Sequence, residues 1–237
     1  IPNYPSGSGM VSYKDNFYLI GDDATALWKL DSNYKKIGQI DLYDSKEKRI
    51  DKTIKEDLEA LTAVQNLDSA YLLVLGSGST EKRQQGLKID LNNYQKTKLS
   101  FSIFYNRLKL AGIKDINIEG ITATEQGFIL ANRGHLDYRT NYLIFTSPDY
   151  FINQEKAPIK LVKFGFQKEN EFLGISGLCY SQKTGHLYGT LSAENTDNSF
   201  ADGTIGSSSI FILNDVLQKQ RLAAVNPNIQ TDLIEIN

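Results

Sequence analysis

The chain of 237 residues holds one cysteine, Cys179, so it can form neither an internal disulfide nor a cysteine-held metal cluster. It has two histidines, His135 and His186, and no His-rich metal spacing. No apolar run approaches the eighteen or so residues of a membrane-spanning helix. No block of five like charges occurs, and 26 basic residues nearly balance 28 acidic ones for a net charge of -2. A general electrostatic pull toward nucleic acid or anionic lipid is therefore not expected. The Gly-x-Ser-x-Gly elbow and the Ser-His-Asp order are missing too. The chain opens at Ile1 without an initiating Met, a basic segment or an apolar segment, as expected if something upstream has been removed; a lost signal peptide would make the protein extracytoplasmic, the compartment favoured slightly, and a trimmed cytoplasmic protein would read the same.

What is plentiful favours β structure: 13 Tyr, 11 Phe and 18 Gly against 5 Pro and 1 Trp. A degenerate unit recurs four times, each a small or acidic residue, a small residue, an apolar strand, a turn and a second apolar strand ending in a polar loop. It runs from Ser8-Gly9, Glu59-Ala60, Glu119-Gly120 and Ser176-Gly177. The small residues Gly9, Ala60, Gly120 and Gly177 lie 51, 60 and 57 positions apart, a spacing that suits four strands and their connections. Third strands follow at Leu27–Asp31, Gly86–Leu91, Asn141–Phe145 and Ser209–Leu213. The pattern predicts an all-β fold, a β-propeller of five blades with six as the alternative, in one domain whose blades start near 8, 59, 119 and 176. Another step of 57 lands on Ile234, so a partial fifth blade is expected from about 230. A β-sandwich is the competing reading, but it gives no reason for a near-constant period. Short helices are expected at 105–111 and 214–222, the second capped by Asn214.

In a propeller the first strand of each blade lines the central channel. The residues opening first strands and those closing second strands should then meet at one mouth. Glu59 and Glu119 are the candidate general bases, with His135 for proton transfer; the competing reading has both Glu side chains merely accepting backbone hydrogen bonds from the next blade. Arg83 and Arg133 suit an anionic ligand, with Ser77, Ser79, Asn132 and Asn195 beside them, or else neutralise Glu59 and Glu119. Asp22, Asp23 and Glu194 are candidate oxygen ligands for a divalent cation such as Ca, although Gly21-Asp22-Asp23 is also an ordinary turn. The loop 75–80 lacks the Gly-Lys-Ser/Thr ending of a P-loop, and the polar stretch 193–208 could wrap calcium or be a plain surface loop. Cys179 is expected as a small buried hydrophobe and His186 as a structural residue at a strand head.

The runs Asp57-Leu58-Glu59-Ala60-Leu61-Thr62, Leu73–Ser79, Asn117-Ile118-Glu119-Gly120, Asn132-Arg133-Gly134 and Ala193-Glu194-Asn195-Thr196 together resemble an uncharacterised bacterial family of propeller-like proteins. That family is similar, more distantly, to esterase-like phytase domain proteins. The resemblance implies a bacterial propeller and brings no assigned catalytic set. Three functions stay open: binding of a small anionic ligand, hydrolysis of a phosphoric or carboxylic ester, and a non-catalytic role in protein interaction.

Overall fold

Strand burial follows strand order. In the second sheet, Ala70–Gly76 is buried at every position while Lys96–Ser100 at its edge is mostly exposed, as for a sheet whose middle is covered on both faces and whose rim meets water. In a computed structural model, which describes residues 1–67, 69–164, 166–168, 171–197, 203–218 and 232–235, this gradient belongs to four successive antiparallel sheets. The fold is an all-β β-propeller. The first blade holds β1 (Gly7–Tyr13), β2 (Asn16–Gly21), β3 (Ala26–Leu30) and β4 (Lys36–Asp41). The second holds β5 (Leu58–Gln65), β6 (Ala70–Gly76), β7 (Gln85–Asp90) and β8 (Lys96–Ser100). The third holds β9 (Ile118–Thr124), β10 (Gly127–Asn132), β11 (Asn141–Thr146) and β12 (Lys160–Phe164). The fourth holds β13 (Phe166–Lys168), β14 (Glu171–Ser181), β15 (His186–Asn195), β16 (Thr204–Leu213) and β17 (Asp232–Glu235).

The blade count is four, not five or six. Ile234 pairs with Ile210, so the segment expected to open a fifth blade is the outer strand of the fourth. The arithmetic failed because eighteen residues, 214–231, separate β16 from β17, and a constant period cannot register an insertion inside one blade. The first expected helix is present as α1 (Ser102–Leu110), three residues early, with Phe104, Tyr105 and Leu108 buried. Of the second only 216–218 falls among the described helical residues, after a turn at Asn214 and Asp215.

Contacts divide the chain into two compact units, one of residues 1–118 with 151–155, the other of 119–150 with 156–237. The first unit centres on Ile20, Leu27, Leu58, Leu72, Val74 and Ile89, shared between its two blades. The second centres on Ile129, Leu143, Ile175, Leu187, Leu191 and Phe211. Among the described residues no helix is long and apolar enough to cross a membrane. Cys179 is exposed on β14, contrary to expectation. Leu178 and Tyr180 pack against the core on either side of it, and alternation along a strand sends the residue between them to the other face.

Candidate functional site

The repeated small-residue motif has a specific structural form. On β5, Leu58 pairs with Gly76 and Ala60 with Leu75, so Glu59 is the extra residue of a β-bulge. Ser8 on β1 is bulged in the same way, between Gly7 and Gly9, and so is Ser176 on β14, between Ile175 and Gly177. A bulge leaves one residue out of the ladder and re-aims its side chain, which is why bulges gather at functional sites. The residue after the bulge is small because the next inner strand runs against it: a Cβ on Gly9 would lie 3.1 Å from the Glu59 carbonyl oxygen. Ser8 Oγ donates to the Leu58 carbonyl at 2.7 Å, binding one bulge to its neighbour.

In the first unit the bulge brings Glu59 into a charged cluster. Carboxylate oxygens of Asp22, Asp57 and Glu59 all lie within 4.8 Å of one another. Asp57, left-handed at φ 56°, is the hub and is buried. It accepts from Lys55 Nζ at 2.7 Å, Arg83 Nη1 at 2.8 Å and Ser77 Oγ at 2.6 Å. Lys55 also pairs with Asp22, and Arg83 Nη1 reaches Ser79 Oγ at 3.0 Å. Burial by itself would lower the Lys55 pKa, but its hydrogen bonds to Asp22 and Asp57 and their charges outweigh this and hold it above its ordinary value. Three carboxylates this close suit a hard cation; the Lys55 ammonium already supplies positive charge between two of them. Asp23 turns outward to Arg49 at 2.6 Å.

The second unit builds its cluster around Arg133. Its Nη2 lies 2.9 Å from Glu194 and donates to Ser192 Oγ at 3.1 Å, while Nη1 is 3.9 Å from Glu119. The arginine crosses the backbone at Gly174, where a Cβ would meet Nε at 2.5 Å. Glu194 also accepts from the Gly203 amide at 2.9 Å. Asn132 is buried and donates to the Arg133 carbonyl. His135 is buried in a bridge with Tyr138, their rings 6.5 Å apart. Asn195 ends β15 opposite Thr204.

The expected residues thus fall into two sets. Ser77, Ser79, Arg83, Asp22 and Glu59 meet in the first unit, and Glu119, Arg133 and Glu194 in the second. Both arginines meet protein carboxylates, but not as the sequence paired them: Arg83 pairs with Asp57, and Arg133 lies nearer Glu194 than Glu119. Sequence reading missed Lys55, the central role of Asp57, and Asn141. Asn141 is fully buried; its Oδ1 accepts from the Gly134 and Ile175 amides and its Nδ2 donates to the Leu173 carbonyl. The one available signal was the small polar, apolar, Glu, small pattern shared by Asp57–Ala60 and Asn117–Gly120.

Among solved structures the chain is similar to the β-propeller domain of Cps50 (Swd1) from Myceliophteria thermophila, with 11% identity, 97% of this chain covered and a TM-score of 0.41. It is similar to the N-terminal domain of Nup159 at 11% identity over 98% of this chain, TM-score 0.36. A member of the DUF4221 family from Bacteroides vulgatus matches at 10% identity over 85%, TM-score 0.39. The chain spans 71%, 48% and 61% of those three chains respectively. No curated protein matches it. Neither the family match nor these structures extends the resemblance to esterase-like phytase domain proteins. Matched over residues 3–234, the chain belongs to DUF6929, a family of unknown function.

Proposed function

We propose that this protein is a non-catalytic binding propeller whose two acidic clusters, one with the bulged Glu59 and one with Glu119, receive a basic group, an ammonium or guanidinium, from its partner. The observation that carries this reading is the engagement of both arginines. An ester hydrolase needs a cation ready for the substrate anion and a base ready for water. Arg83 is buried against Asp57, and Arg133 is held by Glu194 and Ser192. The charge balance points the same way. Asp22, Asp57 and Glu59 stand with Lys55 and Arg83, and Glu119 and Glu194 with Arg133, so among these groups acids outnumber bases by one in each set. One unit charge about 6 Å away at an effective dielectric constant near 20 is worth roughly 3 kcal/mol, against an anion and in favour of a cation. Lys55 fills the role that a divalent cation such as Ca would take among the acids of the first unit.

The test pairs binding with turnover. A labelled hexalysine peptide is followed by fluorescence anisotropy at low and high salt, and p-nitrophenyl phosphates and esters are offered with Ca, Mg, Mn or Zn. Glu59→Gln and Glu119→Gln are expected to weaken peptide binding, whereas Asp15→Asn and Asp44→Asn, two exposed charges elsewhere, leave it unchanged. Turnover abolished by Glu119→Gln and Arg133→Ala would establish the hydrolase instead. Saturable binding of inorganic phosphate lost in Arg133→Ala would establish the anion reading.

A further inference from the structure

The first blade carries a groove that the carboxylate clusters do not use. It holds about 240 Å³ between β3, β4 and the segment 45–48, and a second hollow of about 600 Å³, bounded by residues 46–49, shares Tyr4 with it. Its floor is aromatic. Trp28, the chain's one tryptophan, meets Tyr4 edge to face with ring centroids 4.8 Å apart. The Tyr4 ring is fixed, because its one hydroxyl proton is shared between the Leu19 and Ala26 carbonyls, each 3.0 Å away. Burial, and then the charges of Asp23 and Asp22, raise its pKa and keep it neutral.

The wall of the groove is fixed as well. Thr25 is 8% exposed; its Oγ1 donates to the Glu47 carbonyl at 2.7 Å and its amide to the Lys48 carbonyl at 3.3 Å, which ties 45–48 beside the floor. Lys36, Lys46 and Lys48 are among the residues that line the groove, with Asp41 and Glu47 as its acids. Lys36 Nζ lies 4.2 Å from the centroid of the Trp28 ring and donates to Gln39 Oε1 at 2.6 Å. The Gln39 amide in turn donates to Asp41 at 2.7 Å, so that one of the two acids is already satisfied. A cation held at an indole beside an open hollow suits an anion that also has a ring to set against the aromatic side chains of the groove.

We infer that this groove is a second binding site, for a free small molecule that joins one phosphate or carboxylate to a ring able to pack on an aromatic side chain, such as an aryl or sugar phosphate. It takes charge of the opposite sign from the carboxylate clusters and does not rest on their reading. Trp28 makes the test direct, since all tryptophan emission of the intact chain comes from the groove. Phenyl phosphate, glucose 6-phosphate, inorganic phosphate and phenol are titrated separately while Trp28 fluorescence is followed. A saturable change with phenyl phosphate or glucose 6-phosphate, about tenfold weaker with phosphate or phenol alone, is the expected result. Which of the two ring-bearing anions binds tighter separates an aryl from a sugar body. Lys36→Met, an exposed substitution whose folding is checked by its melting curve, should weaken binding about tenfold, the loss of one charge-assisted bond. No saturable change with any probe up to about 10 mM, or equal affinity in the folded Lys36→Met variant, overturns the site.

Discussion

Replacing Asp57 by Asn changes one charge and almost nothing else. Asn keeps the size of the side chain and is at ease in the left-handed conformation that residue 57 adopts, so backbone strain is not introduced. What is lost is the anion that faces two buried cations, Lys55 at 6% side-chain exposure and Arg83 at 4%. Lys55 retains the Asp22 carboxylate, whereas the Ser79 hydroxyl that Arg83 retains carries no charge. Breaking a buried pair by removing one partner costs about 3–5 kcal/mol. For a chain of this size that is a fall in melting temperature of roughly 6 to 20 °C. Urea and thermal melts of Asp57→Asn measure it. Truncating the stranded arginine as well, in Asp57→Asn with Arg83→Met, should recover a large part of the loss, because the second change removes the uncompensated charge. A loss below about 1 kcal/mol in the single variant, or strictly additive losses in the double, would refute the hub.

Two more outcomes follow from local geometry. Gly174→Ala should cost about 2 kcal/mol because its methyl displaces Arg133 from Glu194 and Ser192, and the same change in an Arg133→Ala background should cost much less; thermal melts of the four proteins decide it. Tyr18 and Tyr142 are each pushed up to about 12, chiefly by burial and then by their neighbours Tyr94 and Tyr138. Unfolded tyrosines ionise near pH 10, so this contribution is whole below pH 10 and is lost between about 10 and 12, on the order of 1 kcal/mol per pH unit for each group. Tyrosinate absorbance against pH, beside urea melts across the same window, checks it; two phenols titrating at their ordinary value would contradict it.

The blades were legible because burial repeats. Small residues after Ser8, Glu59, Glu119 and Ser176, and apolar runs such as Tyr71–Leu75, mark where inner strands pass close and where both faces are covered. The blade count was not legible, because the long connection between β16 and β17 makes one blade longer than the others while a period averages over blades. The charged clusters were legible only in part. Glu59 could be read from its place in the repeat and Arg83 as a candidate anion partner, but Asp57, which pairs with Arg83 and lies close to Glu59, sits just before β5, where a small polar residue reads as a loop. Lys55 looks like any exposed lysine until the chain fold sets it between Asp22 and Asp57. Asn141 gave no signal at all: it opens a strand, and its three hydrogen bonds go to main-chain groups whose neighbourhood only tertiary structure creates.

The bulge at the start of the inner strands separates chemistry from stability. A residue outside the ladder contributes no pair to the sheet, and the strand resumes its alternation after it, so the side chain there can change without re-facing the core residues that follow. Serine at positions 8 and 176 and glutamate at 59 occupy the same kind of slot with different chemistry. A family built on this plan can acquire a new specificity by single substitutions at such slots, one blade at a time, while its hydrophobic framework stays the same.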